Sequence, residues 1–451
     1  MLKPTAPRRP TALAALLVTA LTIGPAPAAA QLSEANVATR PGRTLTGDPA
    51  NYRALLRALR AGDRLVLKPG TYRDGLPLYR IMGAPGNPVT IESESKARHA
   101  VFEARRGRNT VSIVDSAHVV VRNLRLDGLG LPVDAVKAEG HAAWAHHITL
   151  EGLTIVNHGA SQQNVGISTK CPAWGWVVRG NTIVGAGTGM YFGNSDGTKP
   201  FFASVVESNS IVNPRGYALQ IKHQHDRPVI EGAPVEPAFT VIRRNRFVKS
   251  AGASTAEFAR PNVLVGHFPL AGTGAQDFYV IYGNLFEDNA TEALFQGEGN
   301  VALYDNLFVN PHGDAIRIQP HNHLPRSIFI FGNTVLASGV GIAVTGGEAG
   351  FGRHVGGNAV FAAEALRGVA GAENFTAPYD QAREALHAPF DAPRRLDFAP
   401  RGEALAGGGM LPEAARRFPD WNVDLAGVTR LGPFFGACAP RPAGSAGRPC
   451  R

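Results

Sequence analysis

One lysine in this chain stands in an unusual setting. Lys222 opens the phrase Lys222-His-Gln-His-Asp-Arg-Pro228, at the end of an apolar-alternating stretch, Ala218-Leu-Gln-Ile, and at the mouth of a long polar connection. The same apolar beat carries Lys170 in Gly166-Ile-Ser-Thr-Lys170, Tyr191 in Gly189-Met-Tyr-Phe-Gly193, and Arg317 with Gln319 in Ala315-Ile-Arg-Ile-Gln319. Lys, Arg, His and Tyr are side chains suited to acid–base chemistry beside a carboxylate, such as an elimination. That reaction needs a base for the proton on the carbon next to the carboxylate, a positive group to neutralise the carboxylate, and an acid for the leaving oxygen. Lys222 is the first choice for base or neutraliser, because a lysine among other cations loses its proton more readily than an isolated one. His225 and Tyr191 are the candidate acid or shuttle, and Arg317 joins them as a catalytic candidate. Lys170, Arg243, Arg244, His267, Gln319 and His321 are candidates for gripping the substrate. An outward lysine is more often merely solvated; the strand-end, loop-mouth position is what singles out Lys222.

Metal and phosphate chemistry are less well served. His321 with His323, or His223 with His225, share a face as pairs two residues apart on a strand, but neither pair has a carboxylate at ligand spacing, and no metal is assigned. The surroundings of Lys222 are basic and neutral, whereas hard cations want several carboxylates. Gly-rich stretches follow strands but open no helix, so no phosphate loop is present. No cofactor is expected.

These residues must be positioned by a repeat. From about residue 110 a phrase recurs in which an apolar-alternating stretch leads to a turn residue, usually Asn, and then to two or three apolar residues. Examples are Val119-Val-Val-Arg-Asn123, Ser204-Val-Val-Glu-Ser-Asn209, Tyr279-Val-Ile-Tyr-Gly-Asn284 and Ile328-Phe-Ile-Phe-Gly-Asn333. The step between turn positions runs from 22 to 39 residues, a solenoid period. Within each repeat the apolar period is two and the turns are too short for helices, so the units are strands of a parallel β-helix. Stacking coils about 4.8 Å apart would put Gln220, Lys222, Arg317 and Gln319 outward on one sheet, with Tyr191 one coil and Lys170 two coils from Lys222. Asn is expected at the turns because it tolerates left-handed backbone geometry and can stack on the next coil's Asn. The longest steps hold insertions at 231–237 and 251–276.

Composition agrees. The chain has 451 residues, 18% of them charged and 44% hydrophobic, with 52 Gly and 33 Pro. That is a folded, turn-rich protein and not a helical bundle or a disordered tail. A net charge of +9 favours acidic partners. Residues 1–30 run from Lys3, Arg8 and Arg9 through an apolar stretch to Pro-Ala-Pro-Ala-Ala-Ala, the order of a secretory signal peptide. The expected organisation is a leader at 1–30, an N-terminal segment with a capping helix at 31–61, a β-helix at 62–371, and a closing segment and tail at 372–451. The expected protein is secreted or periplasmic, without a membrane span after processing and without a nucleic-acid partner. Cys438 and Cys450 are close enough in sequence to close a small loop, leaving Cys171 free.

The helix at 51–60, the phrase Gly62-Asp-Arg-Leu-Val-Leu-Lys-Pro-Gly-Thr-Tyr72 and Pro88-Val-Thr-Ile-Glu92 resemble the opening coils of secreted right-handed parallel β-helix proteins, among them alginate-lyase and chondroitinase-B-like polysaccharide lyases. Leu396-Asp-Phe-Ala-Pro-Arg-Gly402 and Gly432-Pro-Phe-Phe-Gly-Ala437 resemble the closing segments of such proteins. The resemblance implies an all-β, right-handed parallel β-helix and a secreted polysaccharide lyase that cleaves a uronic-acid-containing chain by β-elimination, removing the C5 proton and protonating the leaving O4, with Lys222 taking by position the place of the family's catalytic lysine. The family's catalytic phrases are not reproduced, and Gln224-His225-Asp226 is a fragment of the Asp-Pro-His-Asp phrase of alginate epimerases. A non-catalytic glycan-binding or surface protein and a uronan C5-epimerase are the alternatives. Inverting hydrolysis is disfavoured, since no repeat strand carries an Asp-Asp pair.

Overall fold

The computed structural model describes residues 42–250, 253–254, 256–370, 373–391, 395–408, 411–440 and 449–451. The leader assigned to residues 1–30 lies outside the described residues, as does part of the insertion at 251–276.

Alternation of buried and outward residues along each short strand leaves one face of every strand needing cover, and a parallel β-helix supplies it by wrapping the chain round a shared core. Three parallel ladders run the length of the molecule. The first holds Thr44–Gly47, Arg64–Leu67, Val89–Ser93, Ser116–Arg122, Ala145–Glu151 and their successors to Arg353–Gly356. The second runs from Gly70–Tyr72 through Arg125–Asp127 and Arg246–Val248 to Phe375–Ala377. The third includes Val111–Val114, Val136–Ala138, Val165–Thr169, Thr188–Phe192, Leu219–Ile221, Val263–Val265, Phe295–Gly297 and Ile316–Ile318. The long strand Thr334–Val344 spans the second and third ladders, which it joins through a bulge between Ala337 and Val340.

Inward residues stay in column from coil to coil. Ile167, Met190, Leu219, Val263, Phe295 and Ile316 pair successively in the third ladder, and all are fully buried in one continuous core. In the coil at 293–297, Phe295 takes the inward column and Gln296 the outward one.

The open end of the core is closed by the helix Tyr52–Arg57, shorter than the 51–60 expected, which buries Tyr52 and Leu56. The Tyr52 hydroxyl donates to the Gly75 carbonyl at 2.6 Å, and its ring packs edge-on against Tyr72 and Phe102. A strand at Thr44–Gly47 precedes this helix and pairs with Arg64–Leu67, so the first ladder begins before the helix and not at residue 62.

The corner between the first and second ladders carries the most regular hydrogen-bonding in the molecule. Asn181, Asn209, Asn245, Asn284, Asn306, Asn333 and Asn358 stack coil on coil, ending at Asn374. In Asn245 the side-chain nitrogen donates to Val206 O of the coil before and to Asn284 Oδ1 of the coil after. Its Oδ1 accepts from the backbone and side-chain nitrogens of Asn209. Two donors and two acceptor positions are thereby satisfied in a buried amide. The left-handed residue is not the ladder Asn but the one before it: Gly180, Ser208, Arg244, Gly283, Asp305, Gly332 and Gly357 have φ between 51° and 71°. Asn123 is itself left-handed, and the next position in its coil is Leu124, so this turn lies outside the stack.

The C-terminal segment covers outward faces of the last coils. Leu386, Leu396, Phe398 and Leu405 bury Leu307, Leu336 and Phe361 of the second ladder, and the disulfide Cys438–Cys450 lies in the same cluster. Phe418 and Ala415 cover the stacked rings of Tyr282, Tyr304 and Phe331 on the first ladder. Cys171 is free and buried. No helix among the described residues is long and apolar enough to cross a membrane.

Removing one rung of the asparagine stack strands donors and acceptors on both neighbours. Asn245→Ala should therefore cost about 2–4 kcal/mol in denaturant unfolding, and Asn374→Ala, at the half-buried end of the stack, about 1 kcal/mol. Equal and small losses at the two positions would show that the stack does not hold the coils.

Candidate active site

The described C-terminal residues cover faces of the first and second ladders, and the third ladder's outward face carries two columns of largely polar residues. Strand register places Ser112, Lys137, Ser168, Tyr191, Gln220, Leu264, Gln296 and Arg317 in the first column. The second lies two residues further along each strand. There Lys170 bonds through its backbone to Ala138, and Lys222 to Phe192. Gly193 lies between the two lysines: a Cβ at that position would come 3.3 Å from Lys222 Cβ. A side chain there would crowd the gap that separates the two lysines.

Loops wall this floor into a cavity of about 780 Å³ lined by Arg108, Asn109, Asp134, Lys137, Lys170, Tyr191, Ser195, Tyr217, Gln220, Lys222 and Arg260 among others. Among the described lining residues there are five cationic side chains and one carboxylate, Asp134. Arg260 arrives on the long insertion, which is anchored at several points. Lys249, wholly buried, donates to the carbonyls of Arg260 and Pro261 at 2.7 and 3.2 Å, and Asn289 donates to Arg260 O at 2.8 Å. Gln162, from an earlier coil, donates to Phe258 O at 3.1 Å and so ties the insertion across the groove wall. Burial pushes the Lys249 pKa down.

The electrostatics single out Lys170. Its ammonium nitrogen lies 3.4 Å from the centre of the Tyr191 ring and donates to Gly193 O at 3.2 Å. Burial lowers its pKa to about 7; Asp134 opposes the shift, and Lys137 and Lys222 reinforce it. Asp134 is engaged elsewhere, accepting from the Val165 backbone at 2.9 Å and lying 3.5 Å from Lys137. The Lys222 pKa is also lowered, by burial, against the pull of Glu298. Burial raises the Tyr191 pKa, keeping the phenol protonated at neutral pH, and its hydroxyl is 3.2 Å from Ser195 Oγ.

The other sequence candidates lie elsewhere. Arg243 and Arg244 are not in the groove: Arg243 is on the first ladder, paired with Glu207 and the Tyr282 hydroxyl, and Arg244 is a left-handed corner residue in a separate cavity beside Leu396 and Leu425. His267 is fully buried, with its ring nitrogens against the carbonyls of Phe268 and Leu324, so it offers nothing to a substrate. Arg317 shares the outward column but is held by Asp314 at 2.6 Å, three strands beyond Gln220. Gln319 is half-buried, and His321 is exposed in a loop gathered round Glu298, which accepts backbone N–H bonds from His321, Asn322 and His323. His225 is exposed beside His223 at the end of the Lys222 strand, outside the cavity lining. Lys137, Asp134, Tyr217 and Arg260 were missed. Lys137 was legible in principle, since Ala135-Val-Lys-Ala138 has the beat of the aligned strands; Arg260 was not, because its place depends on how a long insertion folds back.

No protein-family model matches this chain, and no curated protein matches it. Solved structures it is similar to include an alginate lyase from Paenibacillus sp. str. FPU-7, at 14% identity over 75% of this chain and 98% of that one, with a TM-score of 0.42. Others are the pectate lyase Pel9A, at 11% identity over 90% and 98% with a TM-score of 0.47, and the PL6 family polysaccharide lyase Pedsa3628 from Pseudopedobacter saltans, at 11% over 74% and 90% with a TM-score of 0.42. These are parallel β-helix polysaccharide lyases, the group the opening coils resemble. Likeness at this level assigns no activity.

Free amines acylate and ammonium ions do not. Trace labelling of the native protein across pH should show the Lys170 rate levelling off just above pH 7, the behaviour of an amine whose pKa burial has lowered to about 7. A Lys170 rate that keeps climbing toward pH 10, the range of a model lysine, would contradict the lowered pKa.

Proposed function

We propose that the protein is a polysaccharide lyase that cleaves a uronate-containing chain by β-elimination in the Lys170 groove. The observation that carries this reading is the partly buried Lys170 amine 3.4 Å from the centre of the Tyr191 ring in a cationic cavity, where burial lowers its pKa to about 7. The neutral Lys170 amine removes the C5 proton. Lys222, Lys137 and Arg260 hold the adjoining carboxylate and stabilise the charge that builds on it as C5 becomes a carbanion. The electron pair from the C5–H bond forms the C4–C5 double bond, the C4–O4 bond breaks, and Tyr191 gives its proton to the departing oxygen. Relative to the sequence reading, the base moves from Lys222 to Lys170, because a base that works near neutral pH must be partly deprotonated there. Arg317 and His225 have no part in this scheme.

A purely binding groove would not use such a lysine, since an amine half-neutral at pH 7 grips a carboxylate less well than an ordinary ammonium. Hydrolysis by two flanking carboxyl groups is not served by a lining with Asp134 as its one described carboxylate. Epimerisation shares the first proton transfer and differs in its product. Export, expected from residues 1–30, is supported by the Cys438–Cys450 disulfide, a bond that persists in oxidising compartments.

Incubation with alginate, pectate, glucuronan and glycosaminoglycans should generate the ultraviolet absorbance of unsaturated uronate on at least one of them. On that substrate kcat/KM should rise with pH through about 7 and then level, because the active form of Lys170 is the deprotonated one. Lys170→Ala should lower kcat by about 10²–10⁴-fold, and Lys222→Ala should act more on KM. Full turnover by Lys170→Ala would remove it as the base. Inverted C5 configuration without absorbance would make the protein an epimerase, and salt-sensitive binding with neither product would make it a glycan-binding protein.

A further inference from the structure

Away from the groove, three histidines converge on the first ladder. His118 and His147 occupy the same position in consecutive coils, each just before the register resumes at Val119 and Ile148, and both have a left-handed backbone, with φ of 52° and 50°. That shared geometry stacks their rings 4.5 Å apart at 18°. His146 sits in the neighbouring column, opposite Ala117 and Trp174. Its ring lies flat on Trp174 at 4.5 Å, with Trp144 at 4.8 Å, and meets His118 and His147 edge-on. One ring nitrogen from each of the three lies within 4.8 Å of the others.

The polar contacts of this cluster are incomplete. Among the described residues, the hydrogen-bond contact the three imidazoles make is His146 Nδ1 to His147 Nδ1 at 2.7 Å. One proton can be shared there, but His118 is left without a partner, and no carboxylate is in the group. The next coil also makes room for the cluster: the position after His147 in the same column is Gly175, also left-handed, and a Cβ there would come 2.9 Å from the His147 ring. A tetrahedral ion with metal–nitrogen bonds of about 2.0–2.1 Å holds its nitrogens roughly 3.3 Å apart. The His146 and His147 Nδ1 atoms stand closer than that, at 2.7 Å, and one nitrogen from each of the three rings lies within 4.8 Å of the others, so ring rotations are needed to reach it.

We propose that His118, His146 and His147 form a three-imidazole site for a divalent ion of the zinc and copper class, with solvent at the fourth position. Imidazole nitrogen suits those ions, and an all-nitrogen set without carboxylates does not suit calcium or magnesium. The exposed edge of His147 leaves the open position facing solvent. The Trp174 and Trp144 rings fix His146, the role that outer partners have at metal sites. The site is on a different ladder from the lysine groove and is independent of the lyase reading.

The test uses the untagged full-length protein stripped with chelator and titrated with Co²⁺, whose visible bands report four-coordination, followed by displacement with Zn²⁺. One equivalent should bind with tetrahedral-type bands. His147→Gly and His118→Gly, which introduce the residue that the same column carries at Gly175, should weaken binding by at least about 100-fold. His223→Gln and His225→Gln should leave it unchanged. Absence of Co²⁺ and Zn²⁺ binding up to millimolar concentration, or undiminished binding by the double glycine variant, would overturn the proposal. If the variants do not fold, Zn²⁺ on the wild type should protect these three histidines from diethyl pyrocarbonate, and lack of protection would overturn it equally.

Discussion

Coil-to-coil register is the constraint on which the rest of this structure depends. A one-residue slip in any coil would turn its inward residues to solvent and its outward residues into the core. Hydrophobic alternation penalises the slip but does not say which coil residue belongs opposite which. The asparagine stack does, because each amide is completed only when the next amide stands in the same place. Steps as different as 22 and 39 residues can therefore be accommodated, with the surplus chain expelled as loops, while Asn245, Asn284 and Asn306 remain in line.

With register held, side chains two residues apart on separate strands become neighbours. Lys170 and Lys222, 52 positions apart in the chain, share a column with Gly193 between them, and Lys137 and Tyr191 stand in the adjoining one. Burying ammonium groups on a partly dry floor is electrostatically unfavourable, and the response is a lowered pKa for both lysines, reinforced at Lys170 by Lys137 and Lys222. The same unfavourable field is what would favour an acidic chain entering the groove. The tail has a complementary place in this arrangement. Its described residues cover apolar outward faces of the first and second ladders, through Phe418, Leu396 and Phe398, and none of them lines the groove on the third.

Histidines illustrate how misleading local clustering can be. His267 and His321, both candidates from the sequence for gripping a substrate, are respectively a buried internal tie and a member of the loop around Glu298. The three imidazoles that do converge come from residues 118, 146 and 147, where a separation of one coil brings His118 onto an adjacent pair.

Much was legible from residue order alone. Period-two alternation, turn residues at solenoid spacing and opening coils of recognisable form defined the parallel β-helix, and the beat around Tyr191, Gln220 and Arg317 placed them outward on one ladder, because strand periodicity is a local property. Tertiary structure alone decided the rest. Whether Arg243 faces a substrate or Glu207, whether Arg260 returns across three coils to the groove, and which of two outward lysines is buried enough to lose its proton near pH 7 all depend on neighbours contributed by distant coils. Desolvation and charge proximity are properties of assembled space, and no spacing along the chain encodes them by itself.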